Sequence, residues 1–439
     1  MEFKINDLSL TEKEVEVTFA YDEVKTNIES EVKKQAKNIQ IPGFRKGKVP
    51  VAMLKKLYGD SLEYEASEKV ANHQFWELAE SKHLHPIGQP HLTDIKFKPG
   101  EDFFFKVKYE VMPKLDVKDY TDLEIEVPEI EVRDEDVQSE LDYIIKANSV
   151  NEDVNEVGQD NNFIIDIEVV RVDEKGEVYP DTKPEKLQID LTNERVQADI
   201  IDNAKGKKVG ESFTFNFTDN RTEKDEEGKD KEISETYIYS AKINGVKKIV
   251  VPELNEELIK KATKDKVSNE QDLRAEVRKD IQNYVDQKTD DLINDKLISL
   301  IIKNNDFTPP TTLVTNILED LIKREEEASK KQGYPKFDKK EAANRLKSTA
   351  EMDVKWYLIK DAIQKKENLI VNEEDLKQLA EQDAEKTGIP VDKLLNYYKS
   401  SNYGERLLDK KLLDFLKEKN KIQKTAPEKL SQNDVKETK

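Results

Sequence analysis

After Pro252 the apolar residues of this 439-residue chain fall into narrow stripes at three- and four-residue spacing, and no other feature restricts the fold as much. Leu292, Ile293, Leu297, Leu300 and Ile301 mark one helix. Pro309 and Pro310 end that stretch and open the next, which carries Leu313, Ile317, Leu318 and Leu321. Further helices are predicted over 339–366, 373–386, 390–398 and 403–420. Lys and Glu fill most other positions, so each helix can bury only a thin seam; such helices pair as arms instead of filling a thick core. Heptad regularity is not sustained, which argues against one long coiled coil. Charged residues make up 38% and hydrophobic ones 36%, yet periodic apolar positions run throughout, which points to thin, well-solvated domains rather than disorder. The length suits about two to four domains.

The first 113 residues read as an α+β domain. Phe3 to Ile5 and Val15 to Phe19 alternate as strands, and Val24, Ile28, Val32, Ala36 and Ile39 form a helical stripe that Pro42 and Gly43 stop. Helical stretches follow Pro50 and run from about Leu62 to Ala79; strands are predicted around Ile95–Phe97 and Phe103–Val111. Residues 114–149 lack the glycine and serine of a floppy linker and read as a structured connector with a helix from Asp134 to Ala147. From 150 to 248 the β signals return, at Phe163–Val170, Phe213–Phe217 and Tyr237–Ile243, with the highly charged Asp219–Ile233 predicted as a solvated loop. The helical part spans 249–423, and the polar tail 424–439 is predicted to be disordered.

Several chemistries lose their residues at once. With no cysteine there is no disulfide, thiolate nucleophile or Cys-ligated zinc. His73, His83, His85 and His91 lie close together but lack a carboxylate-bearing ligand helix, so surface and turn positions are favoured over a metal site. No Walker-type loop appears, and no cofactor is expected. No apolar run approaches the ~20 residues of a membrane span, and no basic-then-apolar leader opens the chain, so a cytoplasmic protein without membrane contact is expected.

The net charge is −20, which disfavours nucleic-acid binding by the surface as a whole. Yet residues 32–59 contain no Asp or Glu while holding Lys33, Lys34, Lys37, Arg45, Lys46, Lys48, Lys55 and Lys56. A run of charge is commonly only a solvated face. Here Pro42, Gly43, Gly47 and Pro50 allow a tight turn that presents Phe44 beside Arg45 and Lys46. An aromatic group with bidentate Arg and Lys suits a site gripping RNA phosphates and an apolar protein patch together.

Gly43-Phe44-Arg45-Lys46-Gly47-Lys48-Val49-Pro50 resembles the ribosome-binding signature of the bacterial trigger factor family. The resemblance extends to Tyr109–Pro113, to Phe307–Pro310 and to the helical carboxy-terminal part. It implies an α+β multidomain, elongated molecule: an amino-terminal domain docking on large-subunit protein and 23S rRNA beside the exit tunnel, helical arms cradling nascent or unfolded polypeptides, and an FKBP-like prolyl-isomerase domain. It also allows a homodimer off the ribosome. The implied docking residues are Gly43, Phe44, Arg45, Lys46, Gly47, Lys48 and Pro50.

The resemblance also implies a catalytic pocket with an aromatic floor in 150–248. Lys205–Glu211 is similar to the stretch following that floor, which puts Ile200 where the family has an aromatic and Asp199 where it has glycine; Ile167 occupies another commonly aromatic place. Tyr179 and the Tyr237/Tyr239 pair could supply rings, though core packing or a cross-strand pair is the favoured reading. A retained fold with a degraded pocket, and weak or absent isomerase activity, is therefore expected. Alternatives are an active isomerase with secondary chaperoning and a ribosome-independent assembly chaperone. For client contact the candidates are Leu313, Ile317, Tyr334, Tyr397, Tyr398 and Tyr403.

Overall fold

A computed structural model describes residues 1–37, 39, 51–180, 182–224, 230–333 and 336–426. The chain divides into two units, Met1–Glu129 with Thr289–Lys439, and Ile130–Lys288.

The first unit opens with β1 (Glu2–Asp7), β2 (Glu12–Phe19), α1 (Tyr21–Ala36), α2 (Val51–Ser81), β3 (Ile87–Lys96), β4 (Phe103–Glu110) and β5 (Glu124–Pro128). The first four strands form an antiparallel sheet in the order β1-β2-β4-β3. Strand alternation sends Val15, Val17, Phe19, Phe103, Phe105, Val107 and Tyr109 to one face, where Val24, Ile28 and Val32 of α1 and Ala66, Val70, Phe75 and Leu78 of α2 bury them. Each such side chain contributes about 1.5–3 kcal/mol on leaving water. The two helices predicted on either side of residue 60 merge into α2, which kinks at Tyr58 (φ −136°, ψ 18°). His83 and His85 sit in the turn after α2 with left-handed backbones.

The second unit holds α3 (Asp134–Ala147), β6 (Val150–Val154), β7 (Phe163–Val172), β8 (Glu185–Asp190), α4 (Ala198–Ala204), β9 (Ser212–Lys224), β10 (Asp230–Val250) and α5 (Glu256–Thr263), together with the first half of α6 (Glu270–Asn304). β10 organises the sheet: β7 lies along one side, while β9 and β6 pair with successive stretches of the other. The predicted loop Asp219–Ile233 is corrected here. β9 runs on to Lys224 and β10 begins at Asp230, with Glu223 opposite Lys231 and Lys224 opposite Asp230, while 225–229 lies outside the described residues. A hairpin satisfies its backbone through its own ladder, so it can extend with a charged sequence and no core beneath it. A second core joins Val137 and Leu141 of α3 to Ile259 of α5 and Leu273 and Val277 of α6.

The first unit resumes with the rest of α6, then α7 (Thr311–Lys331), α8 (Lys339–Lys366), α9 (Glu373–Thr387), α10 (Val391–Ser400), α11 (Tyr403–Lys419) and β11 (Lys421–Thr425). Leu297, Ile301, Ile359, Ile363, Leu412 and Leu416 from α6, α8 and α11 bury Val117, Tyr120, Ile125 and Val127. Part of the stretch read as a connector thus belongs to a helical core. β11 pairs in parallel with β5, from Lys421 opposite Glu124 to Thr425 opposite Pro128. The disorder predicted from 424 is corrected accordingly: Lys424 and Thr425 are ordered by backbone pairing, and the tail from 427 lies outside the described residues.

Candidate functional site

Gly43, Phe44, Arg45, Lys46, Gly47, Lys48 and Pro50 lie outside the described residues, and so do Pro42 and Val49. The structure does give the two helices that bracket them. Asp22 and Glu23 stand in the first turn of α1 and Lys33 and Lys34 in its last, each favourable to the helix dipole. Lys33, Lys34 and Lys37 are exposed at the end that feeds residues 38–50. Glu31 is neutralised there by Lys34 at 3.1 Å and Lys69 at 3.6 Å. On the following helix Met53, Leu57 and Tyr58 are exposed, so the first turns of α2 carry apolar groups at the surface. These three were missed from sequence. The available signal was spacing: Met53 and Leu57 stand off the stripe of Leu62, Ala66 and Val70 that the helix buries.

In the second unit Ile167 and Ile200 share one core with Phe213, Phe215, Ala241 and Ile243, Ile167 lying in register between Leu187 and Ile243. Tyr179 is not brought to them. It is exposed, with the Arg171 guanidinium 5.1 Å from its ring centre, and the same guanidinium lies 4.1 Å from the ring of Tyr237. Asp199 ties α4 to the sheet by accepting the Asn216 N–H at 2.6 Å. Other rings of this sheet do reach that core: Phe215 stacks on its cross-strand neighbour Tyr239, which packs against the core, at 5.7 Å, and the more exposed Phe217 meets Tyr239 edge-on at 6.3 Å. Only register aligns these rings, so linear sequence could not group them.

Among the proposed client contacts, Leu313 and Ile317 are half-buried against Val354 and Leu358 of α8, and Tyr334 lies outside the described residues. Tyr397, Tyr398 and Tyr403 do converge, at the corner of α10 and α11. Tyr398 stacks on Tyr403 at 4.3 Å, Tyr397 meets Tyr403 at 5.6 Å, and Arg406 lies over Tyr403. Tyr398 is buried and donates to Asp383 at 2.6 Å; burial first, then that carboxylate, pushes its hydroxyl up to about 12. Tyr397 remains 57% exposed, so the corner presents one ring to solvent against the buried Tyr398 and the half-buried Tyr403. His73, His83 and His85 line a cleft of about 510 Å³ with Trp76, while His91 stands apart on β3. Among the described residues no three His, Cys, Asp or Glu side chains are arranged to hold a metal ion.

The profile of the bacterial trigger factor protein matches residues 1–144, and that of the bacterial trigger factor carboxy-terminus matches 271–418. The chain belongs to the trigger factor family. It is 28% identical over 434 residues to the trigger factor of Chlorobaculum parvum, covering 97% of this chain and 98% of that one. To the trigger factor of Salinibacter ruber it is 23% identical over 435 residues, covering 95% and 93%. A solved trigger factor chaperone, described for promiscuous substrate recognition in folding and assembly activities, aligns with a TM-score of 0.49 at 19% identity, over 95% of this chain and 99% of that chain.

Within a trigger factor frame, the two profiles bracket residues 145–270, where Ile167, Tyr179 and Ile200 lie. The amino-terminal profile takes in α1, α2 and the segment between them. Among the described residues no helix is long and apolar enough to cross a membrane.

Proposed function

We propose that this trigger factor family chain is a cytoplasmic chaperone that docks beside the ribosomal exit tunnel and shields emerging polypeptides. Its amino-terminal domain, residues 1–113, makes the contact through Gly43 to Pro50, on large-subunit protein and adjacent 23S rRNA. The helices of 249–423 supply the client surface, with the Tyr397 corner among its contacts. One observation supports this reading: the acid-free stretch 32–59 takes in the end of α1, where Lys33, Lys34 and the following Lys37 are exposed, and the start of α2, where Met53, Leu57 and Tyr58 are exposed. Cations suit phosphates and the apolar groups suit a protein patch, and both are needed at a ribonucleoprotein surface. Co-sedimentation with 70S ribosomes tests it. The wild type pellets, and the triple variant Phe44→Ala, Arg45→Ala, Lys46→Ala stays in the supernatant; a triple variant that still pellets sinks the docking site.

The middle domain, 150–248, acts in this account as a binding or spacing element with weak or no prolyl isomerase activity. Ile167 and Ile200 are aliphatic core residues, and Tyr179 is engaged by Arg171 away from them. Holding and desolvating an imide against a barrier of ~18–20 kcal/mol requires a pocket of converging groups. A proline-peptide isomerisation assay in the range of active FKBP-type enzymes would overturn this.

A further inference from the structure

Helix α7 begins at Thr311 behind Pro310, which offers no capping side chain. The first amides of a helix have no partner within it and need one from elsewhere. Here the partner is Glu110, the last residue of β4. The Thr311 N–H donates to its Oε1 at 2.7 Å and the Thr312 N–H to its Oε2 at 2.9 Å. A carboxylate spread across a helix amino-terminus also meets the positive end of the dipole. Burial opposes the charge on Glu110, but the hydrogen bonds from Thr312 and Thr311 outweigh it and hold the carboxyl below its ordinary range.

Two more contacts sit at the same joint. The hydroxyl of Thr11, a buried residue, donates to the carbonyl of Thr308 at 3.3 Å. Gly88 of β3 has φ +68°, and a Cβ there would come within 2.1 Å of the Thr312 hydroxyl, so the close approach of helix and sheet depends on glycine at this place. A cleft of about 430 Å³ opens beside the joint, lined in part by Gln89, His91, Thr315 and Asn316. α7 is packed along α8 through Val314, Ala350, Val354 and Leu358, so whatever fixes the start of α7 fixes the pair.

We propose that Glu110 is a positioning residue: by capping α7 from the amino-terminal sheet it clamps the α7–α8 pair at one angle to that sheet. The sheet's helices carry the docking segment, and the pair belongs to the client-facing helices, so the clamp sets where the client surface stands relative to the docking point. The last step rests on the function proposed above; the clamp itself does not.

Because the chain has no cysteine, Lys98→Cys and Lys331→Cys give two selective spin-label sites, one on the turn before β4 and one at the far end of α7. In this background, electron–electron distance measurements should give one narrow distribution. Glu110→Ala should broaden it, with Glu110→Gln, which keeps one acceptor, in between. The Thr311 and Thr312 amides should exchange with solvent about fivefold to tenfold faster in Glu110→Ala, the usual effect of losing a cap. A broad distribution in the background protein, or an unchanged width in Glu110→Ala, would overturn the clamp. Ribosome affinity should stay within about twofold, since the variant does not touch the docking segment, while suppression of client aggregation on ribosomes falls. If the background protein itself does not bind ribosomes, the docking reading fails and the distance result still decides the clamp.

Discussion

The residues that bear most weight in this chain are polar groups with defined partners. Tyr398 and Tyr120 are two of them: each hydroxyl is buried and donates to a carboxylate, Asp383 at 2.6 Å and Glu367 at 2.5 Å, and each is pushed up to about 12 by burial first and the acceptor second. A tyrosine whose folded value lies above its unfolded 10 contributes stability that is whole below pH 10 and is lost as pH rises towards 12. Unfolding stability should therefore fall steeply over pH 10–12. Tyr398→Phe should flatten part of that fall while costing about 1–2 kcal/mol at neutral pH; denaturant titrations across that range check both, and an unchanged slope contradicts the Asp383 pairing. The candidate residues also differed in legibility at this scale. Phe44, Arg45 and Lys46 stand out in the sequence because the proposed docking motif is local and its glycines and prolines surround it. Ile167 and Ile200 could be named as non-aromatic, but that Tyr179 would meet Arg171 depends on the turn after β7, which brings Val178 opposite Val172 and lets the Tyr179 N–H donate to the Arg171 carbonyl at 3.3 Å.

Among the elements, those that follow their own periodicity were readable and those that depend on a distant partner were not. α8 and α9 appear where the stripes put them, and their ends carry local signals: Asp338 accepts from Lys340 and Glu341, Asn372 accepts from Asp375, and Gly388 closes α9 with φ 71°. β11 has no such signal, because Lys421–Thr425 is polar and its partner β5 lies almost 300 residues earlier. What anchors it is Asn420, only 9% exposed, which donates to the Tyr120 and Leu416 carbonyls at 3.0 and 2.6 Å and accepts the Leu123 N–H at 2.7 Å. Asn420→Ala would leave these backbone groups unpaired, at about 2–4 kcal/mol. Thermal unfolding should record the loss, and limited proteolysis should cut within 421–426 in the variant but not in the wild type. A variant as stable and resistant as the wild type would mean that β11 holds by its ladder alone. The long β9–β10 hairpin was hidden for a related reason, since its charges read as a loop while its backbone pairs with itself.

For the whole molecule the decisive property is where negative charge is missing. An acidic chain of net charge −20 repels RNA except where its acids are absent, and they are absent over 32–59. That contrast was legible without a structure, as was the division into an α+β start, a β-rich middle and a helical end. Tertiary pairing supplied what was not: the placing of residues 115–129 among the helices and the Glu110 cap on α7. The central claim is that residues 43–50 bind the ribosome through phosphate-directed cations and an aromatic contact. Ribosome affinity measured against salt concentration, for the wild type and for Phe44→Ala, Arg45→Ala, Lys46→Ala, tests it most directly. The account predicts binding that weakens as salt rises, and a triple variant that has lost it throughout. Equal affinity for both proteins, or wild-type binding indifferent to salt, would contradict it.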